Sequence, residues 1–196
     1  MGLVELDHVF WMVTPDDGWA ARLAAAGWRL DAGSTHAGQG TRNRRLRWAD
    51  CYLELLWVHD AAEARHNALR LDRRAAWEPT GASPFGIGLR GRLSDAERVD
   101  YWRYDGLPMP VWVHRDNEEA PERPFVFVLD LDEHRPPTVA NPGALQVLRH
   151  TGPAPARLPG YHGPRVEYTP GSHRLELVLD SGSPLAVSAE LSLSRR

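Results

Sequence analysis

Two glutamates lie in similar apolar stretches of the chain, Glu54 within Cys51–Val58 and Glu176 within Arg174–Asp180. If both stretches are β-strands, each glutamate points to the face opposite its flanking leucines, because side chains alternate along a strand. An ionised carboxylate in an apolar setting is costly unless it binds a cation, accepts hydrogen bonds or takes up a proton. Glu54 is therefore a candidate catalytic or metal-binding residue, and its similar surroundings extend this hypothesis to Glu176.

His8 is a polar residue within a third apolar stretch, Leu3–Val13, whose pattern predicts a central strand. Imidazole and carboxylate both bind Zn²⁺, Mn²⁺, Fe²⁺ or Ni²⁺, and neighbouring strands can bring His8 and Glu54 to one ion. The alternative is a hydrogen-bonded pair inside the core, without a metal. For Glu176, a solvated strand face with a salt bridge explains the pattern equally well, since Arg174 and Asp180 share that face.

A polar loop, Gly33–Asn43, lies between two of the predicted strands. Its hydrogen-bonding groups and free backbone are typical of a lid or ligand rim, and an ordinary hairpin loop is the alternative. The candidate ligand-binding residues are His36, Gln39, Gly40, Thr41 and Asn43. The four arginines that follow, between Arg42 and Arg47, fit either an anionic substrate or a solvated edge strand.

Composition narrows the class of protein. A chain of 196 residues with 42% hydrophobic content predicts one substantial core, or two small modules that share one. The net charge of -3 favours neither nucleic acid nor an anionic membrane as a partner. The absence of lysine excludes lysine Schiff-base chemistry, and the single Cys51 excludes intramolecular disulfides. Without a signal peptide or an apolar run of roughly 20 residues, we expect a cytoplasmic protein.

The first part of the chain predicts a strand, a helix and three more strands. A cap at Thr14–Asp17 and a stop at Gly27 predict that the helix runs to about Ala26. The predicted strands are Leu3–Val13, Trp28–Leu30, Thr41–Trp48 and Cys51–Val58.

The rest of the chain loosely repeats this order, with insertions. Asp60 and Glu63 predict the start of a helix that continues to Ala75, and the turn-rich Trp77–Pro84 predicts a module boundary. The predicted elements beyond it are strands Phe85–Leu89, Val111–His114, Phe125–Asp130, Ala144–Arg149, Arg165–Tyr168, Arg174–Asp180 and Leu185–Leu193, and a capped segment Ser94–Arg103. Gly86–Gly91 fits G-x-G-x-x-G but follows a connector rather than a strand, which excludes a dinucleotide site.

This arrangement, with Asp7–His8, the His36–Asn43 loop and the Tyr52–Leu56 strand, resembles the vicinal oxygen chelate superfamily. More narrowly, it resembles the glyoxalase-like domain proteins. The resemblance implies an α+β fold in which two βαβββ modules form an open barrel of the glyoxalase and bleomycin-resistance type, with an irregular second module. It implies a single domain over 1–196, divided into a first module (1–58), a helix and linker (59–84) and a degenerate second module (85–196). It also implies that such modules pair between chains, as in a homodimer.

In that superfamily a divalent ion is held by the first and last strands of both modules. Carried over by position, the metal ligands are His8, Glu54 and Glu176. The fourth position departs from the pattern, because the opening strand of the second module offers Gly86 or Gly88. Water or a histidine (His36, His114 or His150) then completes the set, or the chain has lost the metal and keeps the cleft for binding.

The resemblance implies that the protein acts on a small oxygen-bearing metabolite in the cleft between the modules. The ion would act as a Lewis acid while Glu54 or Glu176, as the catalytic residue, moves a proton. Isomerase, lyase, transferase and dioxygenase chemistry share that logic. The alternative is a metal-free protein that binds a drug or metabolite without catalysis.

Overall fold

A computed structural model describes residues 4–15, 17–131, 140–158 and 160–196 of the chain. The predicted strand residue Leu3 and the predicted cap residue Asp16 lie outside these ranges. The fold is mixed α+β, as predicted. It is dominated by strands, which form two sheets, and has few helices.

The first module has the predicted order of one strand, one helix and three strands. Its elements are β1 (Val4–Met12), α1 (Trp19–Ala25), β2 (Ser34–His36), β3 (Thr41–Arg47) and β4 (Tyr52–Val58). The strands lie in the order β2-β3-β4-β1, with β1 parallel to β4 and the other pairs antiparallel. The sheet therefore brings β1 and β4, with His8 and Glu54, side by side.

Two local boundaries differ from the prediction. Helix α1 begins at Trp19 after Gly18, not at Thr14, because the Thr14 carbonyl instead accepts bonds from the backbone of Asp17 and the indole of Trp19. The strand expected at 28–30 is reduced to one bridge between Leu30 and Leu46, and the pairing strand lies at β2. The end of the helix near Ala26 agrees with the prediction.

Three short helices connect the modules, at α2 (Ala61–His66), α3 (Leu71–Ala75) and α4 (Trp77–Thr80). Asp60 caps α2 by accepting bonds from the amides of Ala62 and Glu63, as predicted. The single helix expected to reach Ala75 is broken at Asn67. The amide of Asn67 donates to the Gly38 carbonyl and to the Tyr104 hydroxyl, so this break ties the first module to the second.

The second module repeats the strand order of the first within 85–129, with a short 3-10 turn in the place of helix α1. Its elements are β5 (Phe85–Gly91), a short 3-10 turn (Arg98–Asp100), β6 (Tyr101–Tyr104), β7 (Val111–His114), α5 (Asp116–Glu119) and β8 (Phe125–Leu129). The order β5-β8-β7-β6, with β5 parallel to β8, matches that of the first module. Antiparallel pairing of β1 with β5 joins the modules into one open sheet.

The residues after 140 form a second sheet rather than a continuation of this module. Its strands are β9 (Leu145–Thr151), β11 (Arg165–Thr169), β12 (Arg174–Leu179), β13 (Leu185–Ala186) and β14 (Leu191–Arg195), while β10 (Tyr161–His162) pairs with β1. The strand order is β11-β9-β12-β14-β13. The module expected to span 85–196 thus ends near Leu129, and the β12 strand that carries Glu176 belongs to a different sheet.

Side-chain alternation along β1 separates the core into two parts. Val9 and Trp11 point into a core that also contains Leu148 and Leu177 of the second sheet. Phe10 points the other way, into a smaller cluster on the open face of the module sheet. The second sheet therefore covers one face of the module sheet and leaves the other face for a cleft. Among the described residues, no helix is long and apolar enough to span a membrane.

Candidate functional site

A cleft of about 240 Å³ lies on the open face of the module sheet. One wall is polar and comes from the first module, and the other is apolar and comes from the second. The polar wall is formed by His8, His36, Gln39, Asn43, Arg45, Tyr52 and Glu54. The apolar wall is formed mainly by Tyr104, Leu107, Pro108, Met109, Val111, Val113, Phe125, Phe127 and Leu129.

The strand register positions the polar wall. His8 of β1 pairs with Tyr52 of β4, and the next residue of β4 on the same face is Glu54, which pairs with Arg45 of β3. These side chains therefore share one face, as predicted for His8 and Glu54. Both are buried, at 5% and 7% exposed.

His8 links two carboxylates. Its Nδ1 lies 2.6 Å from Asp7 Oδ1, and its Nε2 lies 3.5 Å from Glu54 Oε2. Strict alternation would place Asp7 on the opposite face, but the pairing of β1 with β5 shifts between Leu6 and His8, as at a β-bulge. Asp7 is the extra residue of this bulge, so its carboxylate reaches the ring of its neighbour and orients it.

Glu54 is also bound by the loop and strand that follow α1. The amide of Asn43 donates to Glu54 Oε1 and lies 3.3 Å from His36 Nε2. The orientation of this amide is set by its oxygen, which accepts a bond from the Ser34 backbone at 2.7 Å. Glu54 is therefore a buried carboxylate with its neighbours in place before any ligand arrives.

The rest of the predicted rim lies around this group. His36 Nδ1 lies 3.0 Å from the Thr41 hydroxyl, and that hydroxyl donates to Gln39 Oε1 at 3.4 Å. Gly40 adopts φ 66, and a Cβ at this position would meet the backbone of Asp60 and Ala64 at 2.3 and 2.5 Å. The glycine thus allows the loop to pack against α2. Of the five predicted rim residues, the structure places His36, Gln39 and Asn43 on the cleft wall and Thr41 behind it.

Burial controls the charge of two groups in this wall. Burial lowers the pKa of His36, although the carboxylate of Glu54 partly opposes this. Burial raises the pKa of Tyr52 well above its usual range, and the carboxylates of Glu54 and Asp7 raise it further. His36 is therefore neutral near pH 7, and Tyr52 keeps its hydroxyl proton.

The ring of His8 is held between aromatic groups. It stacks on Tyr52 at 4.5 Å with an interplanar angle of 11°, and it meets the edge of Phe127 at 5.3 Å. Gly88 of β5 lies opposite His8, and a Cβ there would come within 2.7 Å of both His8 and Phe127. The glycine at this position is therefore required for the approach of the two rings.

The residues of the second module that correspond to the His8–Glu54 pair are apolar. Gly88 is the β5 partner of His8, and it pairs with Phe127 of β8 as His8 pairs with Tyr52 of β4. Glu54 follows Tyr52 by two residues, and Leu129 follows Phe127 in the same way. The second module thus presents Gly88 and Leu129 where the first presents His8 and Glu54.

Glu176 is not brought to this cleft. It lies on β12 of the second sheet, where Arg149 donates to its carboxylate at 3.1 Å, and this pair is partly exposed. Hydrogen bonds from Ser194 and Arg149 outweigh burial and lower the pKa of Glu176. The salt-bridge interpretation of this residue therefore describes its surroundings. The metal hypothesis loses the third of its ligands, and the catalytic hypothesis loses one of its two glutamates.

Two other candidate ligands also lie elsewhere. His114 accepts a bond from the Asp116 backbone and packs against Tyr101. His150 is buried under the second sheet, next to Phe85 and His173. His36 is the one predicted loop histidine that reaches Glu54, with Nε2 at 3.9 Å from Oε1.

These donors do not form the set of three or four ligands that holds a catalytic divalent ion. His8 Nε2 and Glu54 Oε2 face each other. His36 Nε2, however, already faces the N–H of the Asn43 amide, and this N–H group cannot bind a metal in its place. The second module adds no donor at Gly88 or Leu129. Within the described ranges, no group of three or more His, Cys, Asp or Glu side chains is placed to hold a metal ion.

Sequence reasoning missed three contributors to the site. Asp7 was not predicted as the partner of His8, because the bulge that turns it inward leaves no sequence signal. Tyr52 lies in the apolar stretch around Glu54, where the sequence does not distinguish a cleft residue from a core residue. Arg45 is one of four arginines between positions 42 and 47, and only its strand pairing with Glu54 distinguishes it from Arg42.

The structure defines an open-sheet protein of two βαβββ modules with a cleft on one face. Comparison with known proteins agrees with this fold. The profile of a family described as a glyoxalase-like domain matches residues 6–106, which is more than half of the chain. The chain therefore belongs to the glyoxalase-like domain family and, with it, to the vicinal oxygen chelate superfamily. A search of curated proteins found no match.

The chain is also similar to solved structures. A hypothetical protein from Staphylococcus aureus is similar over 99% of this chain and 100% of its own, with a TM-score of 0.61 and 11% identity. A hypothetical protein from Bacillus halodurans C-125 aligns with 67% of this chain and 97% of its own, at 13% identity and a TM-score of 0.45. Methylmalonyl-CoA epimerase from Mycobacterium tuberculosis aligns with 65% of this chain and 88% of its own, at 14% identity and a TM-score of 0.42. The first similarity shows the fold alone, and it extends over both sheets.

Proposed function

We propose that this protein binds a small oxygen-bearing metabolite in the cleft and that Glu54 moves a proton on it, as an isomerase or lyase does. The observation that carries the proposal is the position of Glu54. Its carboxylate is buried between His8, His36 and Asn43, and it lines a cleft whose opposite wall is apolar. Proton transfer from carbon needs a general base within reach of the ligand, and the carboxylate of Glu54 lines the cleft.

The chain of Asp7, His8 and Glu54 gives each residue a part in this step. Glu54 accepts a proton from the carbon next to the carbonyl group of the ligand, and the electron pair of the C–H bond moves onto the carbonyl oxygen. Asp7 fixes the ring of His8 through Nδ1, and His8, with Nε2 at 3.5 Å from Oε2, positions the carboxylate of Glu54. The apolar wall excludes water from the reacting carbon. Since the donors present do not match a metal set, the proposed step uses only these side chains.

Exchange of carbon-bound hydrogen with deuterated water tests the proposal. Small apolar ketones and 2-oxo acids would be incubated with the protein, and loss of the signal next to the carbonyl would be followed by NMR. We expect Glu54→Gln to slow exchange by about 100-fold or more, the usual contribution of a general base. Glu176→Gln is the matched control, because it removes a carboxylate from a similar strand outside the cleft, and it should exchange like the wild type. Equal exchange in Glu54→Gln and wild type would contradict the proposal.

The alternative function is binding without catalysis, and the extent of the apolar wall favours it. Nine residues of the second module line the cleft with mainly hydrocarbon surface. A ligand that binds to both wild type and Glu54→Gln, with no exchange in either, would support this alternative. Cytoplasmic location and pairing of two chains stay predictions, and light scattering of the purified protein would test the second.

A further inference from the structure

Arg45 is a cationic group at the polar wall that the proposed proton transfer does not use. It lies beside Glu54 across the β3–β4 pair and lines the cleft. Its Nε donates to Asp31 Oδ2 at 2.6 Å, and its backbone amide donates to Asp31 Oδ1 at 2.9 Å. The guanidinium is therefore held at the cleft, so the Arg45 side chain loses little conformational entropy when a ligand binds to it.

The surroundings of Arg45 carry surplus positive charge. Arg47 donates to the same carboxylate oxygen of Asp31 at 3.0 Å, and Arg44 donates to the Asp31 carbonyl at 3.0 Å. Burial raises the pKa of Asp31, but hydrogen bonds from Arg45 and Arg47 outweigh burial and lower it. One carboxylate thus offsets two guanidinium groups, those of Arg45 and Arg47, and the remaining charge attracts an anion.

Tyr52 adds a neutral donor beside these cations. Arg47 lies over its ring at 4.8 Å, and His8 stacks on its other face. Because Tyr52 keeps its proton, its hydroxyl can donate a hydrogen bond to an anionic oxygen. Hydrogen bonds from charged donors to carboxylates are the strong ones, and a phenol adds direction.

The negative charge of Glu54 does not cancel this attraction. His8 lies between Glu54 and Asp7, and Arg90 donates to the carbonyls of Leu6 and Asp50 while its Nη1 lies 3.7 Å from Asp7. The carboxylates on this side of the wall therefore have cationic or polar partners of their own. An anion at Arg45 would leave its neighbouring carbon next to Glu54 and its apolar body against Phe127.

We propose that the ligand of the cleft is a small carboxylate with an apolar body, such as a 2-oxo acid, and that its carboxylate binds Arg45 and the Tyr52 hydroxyl. The inference rests on the proposed function and specifies its substrate class. The cleft volume of about 240 Å³ limits the enclosed part of the ligand.

A matched pair of probes tests the charge requirement. The first is 4-methyl-2-oxopentanoate, and the second is its neutral amide, 4-methyl-2-oxopentanamide. Binding to the full-length protein would be measured by titration calorimetry or ligand-observed NMR at low and high salt. We expect the wild type to bind the carboxylate about tenfold more tightly than the amide, and we expect salt to weaken this preference.

Variants of two arginines on the same strand provide the control. Arg45→Gln should abolish the preference for the carboxylate, and Arg45→Lys should retain part of it. Arg42→Gln should behave like the wild type, because Arg42 is exposed. Thermal unfolding of each variant would confirm that it is folded.

The outcomes separate this inference from the proposed function. Equal binding of acid and amide, binding of neither probe, or a preference that survives Arg45→Gln would overturn the substrate class. If 4-methyl-2-oxopentanamide binds and its carbon-bound hydrogen exchanges only when Glu54 is present, the proposed function stands, but the ligand does not need a carboxylate. If the acid binds through Arg45 but no exchange depends on Glu54, the substrate class stands and the catalytic proposal is wrong.

Discussion

At the scale of single residues, Gly88 determines the shape of the site. The strand position opposite His8 holds no side chain, and the rings of His8 and Phe127 occupy the space that a Cβ would need. The first module therefore supplies the polar side chains of the cleft, and the glycine of the second allows His8 to pack against an apolar wall.

Gly88→Ala tests this arrangement. Since the new Cβ would lie 2.7 Å from atoms of His8 and Phe127, the rings must move, and we expect a loss of about 1–3 kcal/mol in the free energy of unfolding. Urea denaturation would measure this loss. Combining Gly88→Ala with Phe127→Leu should recover part of it, because the smaller side chain leaves room. An unchanged stability in Gly88→Ala would show that the site is looser than described.

The number of metal-binding side chains near His8 and Glu54 predicts how much divalent metal the protein binds. Two protein donors fall short of the three that hold a catalytic zinc ion, so we expect well below one divalent ion per chain in the untagged wild type. His8→Ala and Glu54→Gln should have the same low content. Mass spectrometric metal analysis, with and without prior incubation with Zn²⁺, Mn²⁺ or Ni²⁺, would measure it. A full equivalent in the wild type that either variant loses would contradict our interpretation of the site.

At the scale of elements, the sequence predicts a strand well where an apolar run has the same bounds as the segment that pairs in the sheet. β7 was predicted with the observed bounds, and the inward orientation of His8 and Glu54 follows from alternation alone. What alternation cannot supply is the partner of each strand. The Arg174–Asp180 stretch looks like the Glu54 strand, but it pairs with β9 and β14, so Glu176 faces Arg149 instead of the cleft.

Irregular elements were missed for a related reason. The bulge at Asp7 depends on the register with β5, and the break of the connecting helix depends on the bonds that Asn67 makes to Gly38 and Tyr104. Both features arise from contacts between residues far apart in sequence. Local propensity therefore predicted the elements of the site but not the residues that orient them.

His150, a buried histidine on strand β9, makes the stability of the protein depend on pH. His150 is 2% exposed, and burial, with a smaller contribution from His173, lowers its pKa to about 4. An unfolded histidine titrates near pH 6.5, so between about pH 6.5 and 4 the unfolded chain binds more protons than the folded one. The stabilisation is complete above this window and is lost as the pH falls through it, by up to about 3 kcal/mol.

Urea denaturation at a series of pH values would measure this dependence. His150→Phe keeps an aromatic ring beside Phe85 and removes the titrating group, so its stability should fall less steeply between pH 6.5 and 4. His59→Gln is the control, because His59 is exposed, and it should follow the wild type. Identical slopes for His150→Phe and the wild type would show that another group causes the acid sensitivity.

At the scale of the whole molecule, the two sheets share one hydrophobic core. Leu148 and Leu177 of the second sheet are fully buried in the core that contains Val9, Leu53 and Ile87 of the module sheet. Without the second sheet, the face that carries these residues would be exposed to water. The similarity to the Staphylococcus aureus protein over 99% of this chain shows that this two-sheet arrangement is shared.

A substitution in one sheet should therefore destabilise the other. Leu148→Ala removes a buried side chain from β9, and we expect it to lower the free energy of unfolding by about 2–5 kcal/mol. Because folding is cooperative across the shared core, amide hydrogen exchange should accelerate in β7 of the module sheet as much as in β12 of the second sheet. Val166→Ala, at the half-buried edge strand β11, is the control and should have a smaller effect on both. If exchange accelerates only in β12, the second sheet opens separately. The module sheet, with its cleft, would then stay folded when the second sheet opens.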